Sequence, residues 1–483
     1  MLEKVQADRL AKLRKTRELG IDPYGLRYDT AEAIGGVLAR FEEDKEGQSA
    51  DAAGRLVLLR DMGKMIFAHI RDQGAQMQIA LRKGALDERS WKLAKLLDLG
   101  DIVAVAGPLS RTRTGEITIW AERLTLLCKS LNPMPEKFHG LQDVETRYRR
   151  RYLDLMTNPG AMANFKKRIA IIDHMRSALK GKGFWEVETP MMQSLYGGAA
   201  ARPFVTHHNT LDTDLYMRIS PELYLKRLLV GGMEKVFEIN RNFRNEGLDT
   251  RHNPEFTMME LYQAYGDYEV MMDITEELIS TAAGEVCGSV RLPYGDVEID
   301  YSRPWRRATY ADLLAEHAQV AMADAEGVRA KARELGMEES DKDDAVVINE
   351  LFDQTVERNL VQPTFVKDYP ADLCPLTRRK AGDASVAERF ELFVAGMEIA
   401  NAYTELNDPA VQEENFARQL KGEGDGQTMR VMDDDFITAL RHGMPPAGGL
   451  GVGIDRVVML LTDTPSIRDV ILFPVLRSPG RGG

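Results

Sequence analysis

Between about Gly54 and Pro133 the chain runs in short stretches where apolar and polar residues alternate. "GRLVLLRDMGKMIFAHIRD" gives two strands across a Met-Gly turn, and "AQMQIALRK" a third. A helical stretch follows at 87–99, and "DIVAVAGPLSRTRTGEITIWAERLTLLCKSL" supplies two more strands. A period of two marks a half-buried strand. Five strands with a helix between the third and fourth match the plan of an OB barrel. Residues 1–19 read as a helix, locally basic through Arg9, Lys12, Arg14, Lys15 and Arg17. Such a run is either a solvated helix face or an arm that contacts phosphates.

The pattern changes at "ETRYRRRYLDLM" (145–156), a basic hinge. An amphipathic helix at 163–183 stops at Gly181 and Gly183, and "FWEVETPMM" then reads as a strand ending at Pro190. Strands alternate with helices from there on. Helical runs at 270–286 and 311–360 predict an insertion around 270–360, and "KGEGDGQ" (421–427) predicts a flexible turn. Two domains are expected, 1–145 and 146–483. The fold class is α+β: an N-terminal OB barrel, then a domain of strands and helices.

Within the second domain, "VFEINRNFRNEGLDTRHNPEFTMMELY" (236–262) reads as strand, polar loop, strand. Glu238, Asn240, Asn242, Arg244 and Glu246 fall on one parity, Phe237, Ile239 and Phe243 on the other. The loop carries Arg251 and His252 and closes at Asn253-Pro254, a turn-favouring pair. On the return, Phe256, Met258, Glu260 and Tyr262 share a face.

Composition narrows the classes. The chain has 483 residues, 44% hydrophobic and 29% charged, enough for more than one core. A net charge of −12 argues against a histone-like protein but leaves nucleic acid open, since binding follows local basic clusters. The three cysteines, Cys128, Cys287 and Cys374, show no paired spacing, so neither a zinc site nor a disulfide framework is expected. No segment is long and apolar enough to span a bilayer, and no signal-type run opens the chain. A cytoplasmic protein with no membrane partner is expected.

Three further segments bear on chemistry. "MEIANAYTELND" (397–408) holds Glu398 and Glu405, seven apart, with Asn401 and Asn407. On a helix that spacing puts both carboxylates on one face; on a strand it splits them unless a bulge intervenes. "PPAGGLGVGIDRVVMLL" (445–461) is a glycine-rich strand entering a helix with Arg456 at the junction. It lacks the third glycine of a dinucleotide fingerprint, so its glycines suit close approach of a flat ligand to the backbone. In "RISPELYLKRLL" (218–229), Ser220 reads as an N-cap, Pro221 as the first helical residue, and Glu222 falls in the first turn.

The ordered set "GFWEVETP", "FRNE…RHNPEF" and "GLGVGIDR" resembles motifs 1, 2 and 3 of the class II aminoacyl-tRNA synthetases. With "GGAAARPF", "SPELYLKRL" and "ELNDP", it resembles the lysyl-tRNA synthetase family over about residues 1–477. The resemblance implies a catalytic domain on an antiparallel sheet flanked by helices, behind an OB domain that reads the anticodon. It implies activation of L-lysine with ATP to lysyl-adenylate and pyrophosphate, then transfer to the 3′ end of lysine tRNA. A homodimer through motif 1 and two or more Mg²⁺ ions are implied as well.

By resemblance, Arg244 contacts the α-phosphate and Arg456 the γ-phosphate end. Glu246, His252, Asn253 and Phe256 hold ATP, with Phe256 stacking on adenine, and Glu398 and Glu405 bind Mg²⁺. Glu222, Glu260 and Tyr262 form an anionic pocket for the lysine side chain, joined by Gly198, Asn401 and Asn407. In the OB domain Phe67 becomes a stacking platform, and Arg60, Gln78 and Glu116 reach base edges of a U-rich anticodon.

Alternatives are aspartate or asparagine charging, disfavoured by Glu222 where such relatives carry glutamine, and a synthetase-like binding module. The latter typically lacks an arginine or carboxylate of the set Arg244, Glu398, Glu405 and Arg456, all present here. A translation-factor lysylase would need no OB domain. Cys374 and Arg441 depart from the family pattern, outside the phosphate and lysine sets.

Overall fold

The computed structural model describes residues 2–45, 47–135, 143–420 and 432–477; the "KGEGDGQ" segment lies outside them. The chain divides into two compact units, Met1–Leu141 and Gln142–Gly483.

In the first unit, strands Ser49–Asp61, Met65–Arg71, Gln76–Arg82, Ile102–Arg111, Ile117–Ala121 and Arg123–Cys128 form one sheet. The first strand pairs with both Met65–Arg71 and Ile102–Arg111, which closes the sheet into a barrel and removes its edges. The first strand begins at Ser49, earlier than alternation indicates, because Ser49–Ala53 continue along Ala104–Pro108. The final run is two strands, not one. At Glu122, whose amide donates to Ala106 O at 2.9 Å, the chain changes partner. Residues before it pair with Gln76–Arg82, residues after it with Ile102–Ala106. Helix Glu88–Ala94 sits between third and fourth strands as expected, capped by Asp87.

The barrel core takes Ile66, Ala68 and Ile70, so the alternate residues face outwards, Phe67 among them. The N-terminal helix Leu2–Glu18 is held to this unit by part of its basic run. Arg9 donates to the carbonyls of Leu99, Ser130 and Asn132, and Lys12 meets Asp98 at 2.6 Å. Arg14, Lys15 and Arg17 remain exposed.

The second unit is built on a sheet whose path runs Arg306–Thr309, Thr364–Pro370, Asp383–Val394, Met397–Thr404, Ala447–Gly453, Glu255–Ala264, Lys235–Phe243 and Trp185–Glu186. Its middle is antiparallel, and the pairing at each end is parallel, so the sheet is mixed. Helices Pro159–Gly181, Tyr268–Thr281 and Ile454–Leu461 pack on one face through Met175, Met271 and Val458. Glu222–Val230 and Asp434–Arg441 cover the other through Leu225 and Ile437, meeting Val236 and Tyr262. Both faces of Lys235–Phe243 are thereby buried. Its polar parity stands in the interior, where Glu238 pairs with Arg218 at 2.7 Å.

Tyr268–Thr281 belongs to the sheet's own core, although its apolar pattern had grouped it with the insertion. The helices that form a separate cluster are Tyr310–Ala318, Ala325–Glu334 and Asp344–Thr355. The hairpin Arg291–Asp300 and strand Arg306–Thr309 separate the two helical runs.

Candidate active site

A cavity of about 360 Å³ opens over the antiparallel middle of the sheet. Three neighbouring strands and one loop furnish it. Phe256, Met258, Glu260 and Tyr262 come from Glu255–Ala264, Glu398, Asn401 and Tyr403 from Met397–Thr404, and Gly449 and Gly451 from Ala447–Gly453. The loop after Lys235–Phe243 adds Arg244, Glu246, Arg251, His252 and Asn253, and Arg456 enters from the first turn of Ile454–Leu461. Glycine at 449 is required for space: a Cβ there would run into the Glu405 carboxylate and the Tyr262 ring.

The cationic end centres on Arg244 and Arg456. The Arg244 guanidinium lies over the Phe256 ring at 5.1 Å, and its Nε is buried without a hydrogen-bond partner. Arg456 donates to Glu398 O at 2.6 Å and meets His252 Nε2 at 3.0 Å. An arginine can only donate, so His252 accepts at Nε2 and donates from Nδ1 to Asp249, 2.8 Å away. Asn253 is buried, donates to Glu255 O at 2.6 Å, and leaves its Oδ1 unpartnered. Glu246 stands exposed on the rim.

At the anionic end, Ser220 caps the helix from one residue further out than its sequence suggests. Pro221 is the N-cap, and Ser220 Oγ accepts from the Glu222 amide at 3.1 Å. The same hydroxyl donates to Glu260 Oε1 at 2.8 Å, and Tyr262 donates to Glu260 Oε2 at 3.2 Å. Burial, and then the charge of Glu222, pushes the Glu260 carboxyl up to about 7. Tyr403 donates to Glu222 Oε2 at 2.7 Å, and Lys226 Nζ reaches Glu222 Oε1 at 2.6 Å. Gly198 closes this end with φ +84, and a Cβ on it would stand 2.8 Å from that of Glu222.

Glu398 and Glu405 do not come together as a metal pair. They sit on one strand run, where seven residues span about 20 Å, whereas one Mg²⁺ holds its oxygens at about 2.1 Å. A bulge at Ile399 does intervene, between the pairs Leu392↔Ala400 and Phe393↔Glu398, and it turns Glu398 to the side of Asn401 and Tyr403. Only Glu398 lines the cavity, its side chain 43% exposed. Glu405 is buried beside Lys226, behind the anionic end. The carboxylate that Glu398 does influence is Glu391 on the adjacent strand. Its carboxyl is pushed upwards by burial, against the pull of Arg389, and further by the charge of Glu398.

Asn407 likewise falls outside the cavity, donating to Met444 O at 3.1 Å. Asn401 lines it and accepts from Arg389 Nε at 3.1 Å. Cys374 is buried against the same arginine, and Arg441 pairs with Glu413 at 2.7 Å, away from the cavity. Residues that motif reading missed are Tyr403, Lys226, Arg389 and Glu391. Tyr403 had a signal, its period-two step from Asn401.

In the barrel unit, the outer face gathers the expected set. Arg60 pairs across from Phe67, and His69 across from Gln78. Glu116 is bound by His69 Nε2 at 2.5 Å and by Gln78 Nε2 at 2.7 Å, and Thr118 donates to Gln78 Oε1 at 2.8 Å. Phe67 meets Trp120 edge-on at 6.3 Å between centroids.

These features coincide with known proteins. Residues 143–477 match a family described as tRNA synthetases class II (D, K and N), and residues 52–127 match an OB-fold nucleic acid binding domain. The chain belongs to the class II tRNA synthetases of the D, K and N group. Similar curated proteins are lysine–tRNA ligases. That of Pelotomaculum thermopropionicum is 51% identical over 483 residues, covering 99% of this chain and 95% of the relative. That of Carboxydothermus hydrogenoformans is 51% identical over 474 residues, covering 97% of each. That of Moorella thermoacetica is 49% identical over 478 residues, covering 98% of each.

Proposed function

We propose that the cavity joins lysine to ATP, with the phosphates at the Arg244–Arg456 end and the lysine side chain at the Glu222–Glu260–Tyr262 end. The reaction is that of a lysine–tRNA ligase: lysine is activated with ATP, pyrophosphate leaves, and the lysyl group passes to tRNA. The observation that carries the residue roles is the polarity of one cavity, cationic at one end and anionic at the other.

The attacking group is the amino acid's own carboxylate, already ionised, so the site needs no general base. It needs positioning and positive charge where phosphoryl charge develops. Arg244, with no ion-pair partner among the described residues, supplies that charge, and Arg456 is aimed by the Glu398 carbonyl and His252. Phe256 offers its ring to adenine, with Asn253, Glu246 and His252 around the nucleotide. Gly198 and Asn401 receive the lysine backbone. Mg²⁺ would be held by Glu398, with Glu391 beside it and not Glu405; the donor set suits a hard cation that takes one or two carboxylates plus phosphate oxygens. Bound there, Mg²⁺ neutralises phosphate charge.

The outer barrel face, with Phe67, Arg60, Gln78 and Glu116, reads the anticodon of lysine tRNA by stacking and base-edge contacts. Two copies associate through the segment around Trp185 and Met192, exposed at 62% and 56%. The reaction is placed in the cytoplasm, in keeping with cysteines that show no paired spacing. Amino-acid-dependent ATP–pyrophosphate exchange, run with each standard amino acid, tests the reading. Exchange with lysine alone is expected; exchange with aspartate or asparagine, or with none, overturns the pocket assignment.

A further inference from the structure

Behind the anionic end lies a side chain that the reaction does not use. Lys226 is fully buried, one turn along the helix from Glu222. Its Nζ contacts Glu222 Oε1 at 2.6 Å and pairs with Glu405 Oε2, and it sits 5.4 Å from the centroid of the Tyr403 ring. Two carboxylates, Glu222 and Glu405, thus flank one internal ammonium, and Glu260 lies near enough to Glu222 to feel its charge. Glu222 has both oxygens engaged, by Lys226 and Tyr403, and Glu260 both engaged, by Ser220 and Tyr262. Glu405 keeps Oε1 buried with no hydrogen-bond partner.

We infer that Lys226 is a specificity-determining positioning residue: its buried ammonium holds one oxygen each of Glu222 and Glu405, and so fixes the pocket floor that receives a cationic side chain. The proposal rests on lysine being the substrate. A buried ion pair is a weak source of stability compared with apolar packing, so retention of Lys226 calls for another reason. Burial pushes the Glu405 carboxyl up to about 8 against the pull of Lys226, and Glu260 up to about 7, so the floor is short of positive charge and a substrate ammonium favours its ionised form. Without Lys226, Glu405 loses the charge that opposes its burial and keeps its proton to higher pH, and a protonated floor tolerates an uncharged side chain. The charged and titratable groups facing this site are Glu222 and Lys226 on the helix, Arg218 just before it, Glu260 and Tyr262 on Glu255–Ala264, and Tyr403 and Glu405 at the end of the strand run Met397–Thr404, beyond Ala447–Gly453.

The test is pyrophosphate exchange by the full chain with lysine and with norleucine, which ends at the ε-carbon and lacks the ε-amine, between pH 6.5 and 9. Wild-type protein that is silent with lysine would sink the substrate reading itself, before any variant is made. An opposite charge at contact distance moves a carboxylate by about 1–3 pH units, so Lys226→Met should cut lysine-over-norleucine discrimination about 10-fold or more near neutrality. Discrimination should recover as pH rises and the carboxylates ionise, while KM for ATP stays unchanged. Lys226→Gln, which keeps a donor but not the charge, should behave alike. Wild-type discrimination and pH profile in either variant, at any kcat, overturn the inference. So does failure of both to give folded protein by circular dichroism, since that would place Lys226 in the fold.

Discussion

The outer face of the barrel and the floor of the catalytic cavity both present glutamates among aromatic rings, under opposite conditions. Glu116 on the barrel stands half exposed, its oxygens taken by His69 and Gln78. Glu222, Glu260 and Glu405 are buried; Glu222 and Glu405 share a single ammonium, and Glu405 retains an unpartnered oxygen. In solvent, exchanging a carboxylate's partner is nearly free, so the barrel face can discriminate between bases only modestly, by fit and stacking. In the interior, an unmatched charge is costly, and that cost becomes selectivity. On the proposed roles, one surface suits reading by fit and stacking, the other rejection of an unmatched charge.

Substitutions at the two sites should therefore separate by step and by size. The largest loss is expected at the cationic end. Arg244→Ala removes an unpaired cation aimed at developing charge, and by analogy with oxyanion donors should lower kcat for exchange by about 10²–10³-fold. If the same variant bound lysine tRNA less well by a comparable factor, the two sites would not be separate. Next comes Glu222→Gln. Breaking a buried charge pair costs about 3 kcal/mol, so lysine kcat/KM should fall about 100-fold with KM for ATP unchanged. Equal loss toward lysine and ATP, read from exchange kinetics, would break the assignment of ends. Smaller again, Phe67→Ala forfeits stacking of about 1–3 kcal/mol, raising KM for tRNA by roughly 10-fold or more while exchange is untouched. A parallel fall in exchange would show that the ring supports something other than tRNA reading.

The same contrast explains what could be read ahead of the structure. Alternation alone leaves Phe67 reading as core; the family resemblance raises it, with Glu116, to a base contact, and the register of Met65–Arg71 puts Phe67 on the outer face. The cavity face of Glu255–Ala264 was legible because period-two alternation decides facing. The metal pair was not, because the spacing of Glu398 and Glu405 says nothing about the strand between them. It took the register of Asp383–Val394 against Met397–Thr404 to show the bulge at Ile399 and the nearness of Glu391. Lys226 is four residues from Glu222, a spacing that on most helices marks an exposed pair. Only packing of that helix against Glu405 and Tyr403 makes it a buried cation. Glu122 illustrates the barrel's version: one residue between two apolar runs decides whether they make one strand or two.

The smallest expected effect is one of pH, and it sharpens the contrast most directly. Glu260 is held at about 7 against an ordinary 4.5, by burial and by the charge of Glu222. The folded chain therefore keeps this proton between those values, where the unfolded chain gives it up. Stability from this group is present at the acid end of that window and declines as pH rises towards 7. Lysine binding should run the other way, since the pocket gains a negative charge as Glu260 ionises. KM for lysine should drop a few-fold between pH 6 and pH 8, and Glu260→Gln should flatten that dependence together with the stability slope in denaturant titrations. A lysine KM level with pH in the wild type would break the assignment, and a step that survives Glu260→Gln would shift it to Glu405, whose carboxyl burial pushes up to about 8.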